Sequence, residues 1–253
     1  MAGFLGMGNF TKPGKGIKKG ADEKKRFFQF FDLYFRKFGS LIKLNLIFIL
    51  FCLPIFTIGP ATAGMMKVIR YYNEGKPVFL FSDFWDAFKQ NFGQSFLMSI
   101  VNGIIASACY TSLVFYYGKM LNSWGYAIPL GIIAILSVLF IMMNFYTYLL
   151  IVTVDLKFIA LLKNAFSMII LGIKSNFFTI IFTGLVVAIC FIIPIGGWLL
   201  LAIVGFSTIG MIICFNSFQH IYSYLIKPYY DSNGLENPYE KTEDTDSIFE
   251  DAT

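Results

Sequence analysis

The chain has 253 residues, 57% of them hydrophobic, with a mean hydropathy of +0.68 and a formal net charge of +5. These proportions exclude a soluble globular domain. They place most of the length in lipid or at its surface, with little left over for a separate soluble unit.

Charge divides the chain before any helix is considered. Residues 1–20 form a Gly- and Lys-rich arm, and Lys12, Lys15, Lys18, Lys19, Lys24, Lys25 and Arg26 outweigh Asp22 and Glu23. A basic arm of this kind suits the anionic lipids of an inner leaflet, at about 1 kcal/mol per basic residue near the surface. At the other end, residues 227–253 read as an acidic, disordered tail: over its last 23 residues Asp231, Glu236, Glu240, Glu243, Asp244, Asp246, Glu250 and Asp251 face Lys241 alone. Between them, residues 39–226 read as a transmembrane helical domain. The first apolar run begins near residue 38 behind the polar arm, and no small-residue cleavage pattern follows it, so the expectation is a retained span.

In chain order, residues 21–38 place Phe27, Phe28, Phe31, Tyr34, Phe35 and Phe38 at helical spacing, with Gln29, Asp32, Arg36 and Lys37 opposite. This predicts an amphipathic helix lying in the headgroup region. A first span follows over 41–58. Pro60 then suits the first turn of a second helix over 60–72, and Ala61, Ala63 and Gly64 permit close helix packing. About thirteen residues at ~1.5 Å each give roughly 20 Å, short of a ~30 Å hydrocarbon core. The charge pattern nevertheless favours a crossing here, because Lys67, Arg70, Lys76, Lys89, Lys157, Lys163 and Lys174 then share one side and only Lys119 lies opposite.

Next, Phe84, Phe88 and Phe92 recur every four residues in an interfacial helix over 82–92, with Ser82 or Asp83 as its cap. A third span over 95–117 carries Ser99, Gly103, Ser107 and Thr111 on one face, a surface for packing another helix. A fourth span covers 126–152, a second interfacial stretch covers 155–174, and a last hairpin over 176–225 turns at Pro194–Gly197. Ala87–Phe92 and Leu161–Phe166 echo each other weakly; an internal duplication and a shared basic amphipathic composition both account for that. The predicted class is therefore all-α: a polytopic bundle of six spans, the second one short, with interfacial amphipathic helices and both termini cytoplasmic.

Chemistry-bearing residues are sparse. Cys52, Cys109, Cys190 and Cys214 each lie inside an apolar run without a Cys-x-x-Cys pair, and read as small core residues; no metal site or cofactor is expected. His220 is the single histidine, no acid–base pair has catalytic spacing, and no hydrolase or metalloprotease motif occurs. No Asp or Glu falls in mid-span, which argues against an ion-coupled pump. What remains is an uncharged polar set, Asn45, Asn102 and Asn144, at similar depths in the inner half of three spans. It reads either as interhelical glue or as a cytosol-facing pocket with Lys67 and Arg70 at its mouth, suited to an anionic headgroup or small solute.

The segments Lys43-Leu-Asn-Leu-Ile-Phe48, Leu53-Pro-Ile-Phe-Thr-Ile-Gly-Pro-Ala-Thr-Ala63, Phe79-Leu-Phe-Ser-Asp-Phe84 and Ala87-Phe-Lys-Gln-Asn-Phe92 resemble the YesL-like family of bacterial integral membrane proteins of unknown function. Leu162-Lys-Asn-Ala-Phe166 looks like that family's second interfacial motif, and the similarity runs over about residues 38–225. The resemblance implies a bacterial plasma-membrane protein, often encoded near carbohydrate uptake transporters, and carries over no functional residue. The resulting expectation is an accessory or regulatory membrane protein beside a carbohydrate uptake system, contacting lipid and a transporter or signalling subunit, with no nucleic-acid partner and no enzymatic activity. The competing expectation is a stand-alone permease or a lipid- or solute-binding protein using the polar pocket.

Overall fold

The computed structural model describes residues 26–235 and residue 237. The basic arm before Arg26 and the acidic stretch from 238 onward lie outside the described residues. Those described form an all-helical bundle without a strand. In order it comprises α1 (Arg26–Cys52), α2 (Ile58–Glu74), α3 (Leu80–Gln90), α4 (Phe92–Met120), α5 (Ala127–Thr153), α6 (Phe158–Leu171), α7 (Ile173–Ile192), α8 (Pro194–Leu200), α9 (Phe206–Ile221) and α10 (Lys227–Asn233). Two π-helical turns, Leu201–Gly205 and Tyr222–Ile226, join α8 to α9 and α9 to α10, so the chain from Ile195 to Asn233 is one 39-residue helix. The boundary drawn at 226 from composition thus falls inside a continuing helix.

Four helical stretches are long and apolar enough to cross a membrane: Phe92–Met120, Trp124–Thr153, Ile173–Ile192 and Ile195–Asn233. The lipid-facing character of the α4–α5 hairpin is plain in its outer half, where Ile104, Tyr110, Val114, Ile128, Ile132 and Ile135 are exposed.

The described structure differs from the six-span expectation in two places. First, the amphipathic helix and first span are a single 27-residue helix. Gly39 and Ser40 do not interrupt it, because its early turns find partners on α9. The Phe30 ring meets Phe215 at 5.3 Å, and the Tyr34 hydroxyl bonds that of Thr208 at 2.9 Å. Phe30, Leu33 and Tyr34 therefore form the inward stripe, and Phe27, Phe28, Phe31, Phe35 and Phe38 stay exposed.

Second, α2 is the central helix, packed against α1, α3, α4, α5 and α9. Ala61, Ala63, Val68 and Ile69 have no exposed surface. Its small residues set how near the neighbours come. A methyl on Gly59 would collide with the Ser95 carbonyl and the Ser99 side chain of α4; one on Gly64 would lie 2.9 Å from the Phe84 carbonyl of α3. Six full crossings assign Gly59 to the outer face and Ser95 to the inner one. In the structure they touch, so the α1–α2 turn and the start of α4 share one level. With 17 residues, α2 also reaches only about 25 Å.

The turn feeding α2 is tightly held. After Cys52 the helix ends, and the Thr57 hydroxyl lies 2.5 Å from both the Phe51 and Pro54 carbonyls, covering acceptors the broken helix leaves open. At the other end of α2, Gly75 takes the left-handed conformation (φ 71°), and its N–H bonds the Tyr72 carbonyl. Gly59→Ala is expected to destabilise by about 1–3 kcal/mol through overpacking. Gly103→Ala, with nothing within 4 Å, should be neutral or slightly stabilising. Thermal unfolding of the purified variants in one detergent compares them directly.

Candidate functional site

The residues expected to form one pocket sit in three separate places. Asn45 is fully buried in α1, where its amide meets the first π turn. Its Nδ2 donates to the Leu201 and Ala202 carbonyls at 3.2 and 2.6 Å, and its Oδ1 accepts the Ser207 N–H at 2.9 Å. A π turn shifts the helical hydrogen-bond pattern and strands backbone groups. One asparagine satisfies three of them, in a setting where an unpaired backbone group is costly.

Asn102 and Asn144 are brought together as expected, but they bond each other rather than an open space. Asn102 Nδ2 donates to Asn144 Oδ1 at 2.6 Å and lies 3.4 Å from the Tyr148 hydroxyl, and Asn144 Nδ2 donates back to the Phe140 carbonyl at 3.0 Å. This pins α4 to α5 midway along the hairpin. Below it, Gln94 Nε2 donates to the Leu156 carbonyl at 2.8 Å.

Lys67 and Arg70 occupy the last turns of α2, in a cluster that includes residues the sequence pattern did not single out. Arg70 is 4% exposed, and its Nε lies 3.2 Å from Glu74 Oε1, one turn along the helix. Lys76 Nζ holds the other carboxylate oxygen at 2.7 Å. The Tyr71 ring collects three cations: Lys67 Nζ at 5.3 Å, the Arg70 guanidinium at 5.3 Å and Lys76 Nζ at 5.8 Å. On the side of Arg70 toward α9, the Asn73 amide and the guanidinium face the Cys214 thiol. Arg70 Nη1 and the Asn73 amide atoms are buried without a hydrogen-bond partner among the described residues. The i, i+3, i+4 spacing of Arg70, Asn73 and Glu74 was the available signal.

A second buried polar group joins α5 to α7. The Tyr146 hydroxyl donates to Asn176 Oδ1 at 2.6 Å, and Asn176 Nδ2 donates to the Ile169 carbonyl at 3.2 Å. Gly172, the joint between α6 and α7, leaves room there: a methyl on it would collide with the Tyr146 hydroxyl and lie 3.2 Å from His220 Cδ2.

The expected packing faces are used unequally. Ala61, Ala63 and Gly64 are buried, and Ser99 lies against Gly59. Gly103, Ser107 and Thr111 are exposed, and both hydroxyls bond carbonyls of their own helix. Among the described residues only the Ser99 end of that stripe meets another helix. A cleft of about 330 Å³ opens instead between the end of α1 and α3, lined by Leu50, Phe51, Pro54, Thr57, Trp85 and Phe88. The described residues contain no group of three or more His, Cys, Asp or Glu able to hold a metal ion.

A family model described as a protein of unknown function, DUF624, matches residues 41–113. That segment runs from the apolar half of α1 through α2 and α3 into most of α4. It contains Thr57–Ala63, the stretch on which the YesL-like resemblance chiefly rests. No curated protein and no solved structure matches the chain.

Asn45→Leu is expected to cost about 1–3 kcal/mol, because it leaves two carbonyls and one N–H of the π turn unpaired. Asn144→Leu should cost less, roughly 0.6–2 kcal/mol, as a single interhelical pair in lipid. Equal losses in thermal unfolding would contradict this ranking.

Proposed function

We propose that the chain is a YesL-like accessory or regulatory protein of a bacterial plasma membrane, working beside a carbohydrate uptake system. The observation that carries this reading is where the asparagines' hydrogen bonds go. Asn45 is spent on the π turn and Asn102 on Asn144, so these residues build contacts between helices instead of a shared polar route. The link to carbohydrate uptake comes from the family resemblance alone. Purification of the tagged full chain in mild detergent from its native membrane should bring down a transporter or signalling subunit. Recovery of the chain by itself would end this reading.

For topology we infer four crossings, by α4, α5, α7 and the helix starting at Ile195, with α1 and α2 packed among them. An even number keeps both termini on one face. The positions of Lys89, Lys157, Lys163 and Lys174 beside the α4, α5 and α7 ends support a cytoplasmic reading of that face. In intact cells, an impermeant thiol reagent should label a cysteine placed at Asn122 and leave one placed at Gly75 untouched. Labelling of the Gly75 site from outside would reverse the orientation.

One observation favours a second reading, a lipid- or solute-binding protein: the buried, unpartnered Nη1 of Arg70. Vesicles reconstituted with the pure chain would reveal any sugar flux. Loss of that flux in Arg70→Gln would favour this reading over the accessory one.

A further inference from the structure

We propose that the C-terminal end of α2 is a binding site for a phosphate group. This rests on the lipid- or solute-binding reading and names the ligand class. Three cations and one carboxylate, Lys67, Arg70, Lys76 and Glu74, leave two positive charges in about two turns of helix and its cap. Glu74 takes the Nε edge of the Arg70 guanidinium and is itself held by Lys76, which fixes the fork and leaves Nη1 facing no acceptor among the described residues. A buried guanidinium N–H without an acceptor is costly, so a group supplying one is strongly favoured there.

Phosphate fits for three reasons. It is anionic, it offers several acceptor oxygens, and it accepts the planar fork of arginine together with lysine point charges. Asn73, three residues on along the same helical face, turns its amide to the Cys214 thiol and leaves the anion to the arginine and lysines. Lys67 and Lys76 are only half-buried and form the accessible side of the site. The group's source is either the headgroup of an anionic phospholipid or a free phosphate from the cytosol.

The test uses the full chain in nanodiscs of phosphatidylcholine containing phosphatidylglycerol, with bound lipid read by native mass spectrometry. We expect phosphatidylglycerol to be retained in preference to phosphatidylcholine. Arg70→Gln should cut that preference about tenfold, as should the double variant Lys67→Gln with Lys76→Gln, which leaves the buried ion pair's arginine in place. Lys18→Gln with Lys19→Gln, the same charge loss in the basic arm, should leave it unchanged. In a second arm, inorganic phosphate is added to discs of phosphatidylcholine alone. Retention of phosphate there, lost in the same α2 variants, supports the site with a cytosolic source, and retention of phosphatidylglycerol only supports it with a lipid source.

Equal losses in the arm and α2 variants would mean diffuse charge attraction and would overturn the proposal. So would a preference that emerges only after Glu240, Glu243, Asp244 and Asp246 are changed to their amides, since the chain's own acidic segment would then be the occupant. If no lipid or phosphate is retained by any form of the chain, the binding reading itself fails. If ligand is retained but ignores the α2 variants, only this site fails.

Discussion

The close approach of backbones around α2 is the constraint on which the bundle depends. Helices in lipid gain little from burying apolar side chains against one another, since the tails outside are equally apolar. Association must come from dense packing and from polar bonds. Gly59, Ala61, Ala63 and Gly64 give α2 a first half almost without side chains, so α3 and α4 settle directly on its backbone. The larger residues behind them, Met65, Met66, Val68 and Ile69, then fill the space toward α9 and α5. Gly210 repeats the device from the other side, where a methyl would lie 2.8 Å from Ile69 Cδ1.

The polar side chains complete that scheme at different heights. Asn45 ties α1 to the first π turn, Asn102 ties α4 to α5, and Tyr146 with Asn176 ties α5 to α7. Asn45 reaches a helix far along the chain, the other two pairs join helices near in sequence, and most of the partners have nowhere else to turn in a dry interior. Asn45, and Asn102 through its Nδ2, are engaged in contacts between helices, while Asn102 Oδ1 stays buried without a partner among the described residues. The charged group at the end of α2 differs, because among the described residues its three cations gather around one carboxylate.

Much of this was legible from local pattern. Pro60 and the small residues after it mark α2, the Phe84–Phe88 stripe marks α3, and the similar depth of Asn102 and Asn144 anticipates their contact. What escaped depends on contacts distant along the chain. Asn45 finds acceptors 156 and 157 residues away, which no window around it reveals. The continuity of α1 past Gly39 depends on Thr208 and Phe215, and the burial of Glu74 depends on the helices that surround α2. The structure has four stretches long and apolar enough to cross where the sequence pattern counts six, and the difference has a related reason. Hydropathy measures what a segment tolerates, whereas the contact between Gly59 and Ser95 fixes where it lies.

The π turns in the long C-terminal helix carry a consequence for its angular register. Each one is equivalent to a single added residue, which swings everything beyond it by about 100° relative to an uninterrupted α-helix. Past Leu201–Gly205, the swing delivers Gly210, Cys214, Ser217 and Ile221 to the interior as one buried line. Had the chain been one residue shorter in that turn, the same sequence would present this line to lipid and turn neighbouring bulky side chains toward α2. Evolutionary insertions or deletions here would consequently rewire the whole inner face of the helix while leaving its length and hydropathy almost untouched.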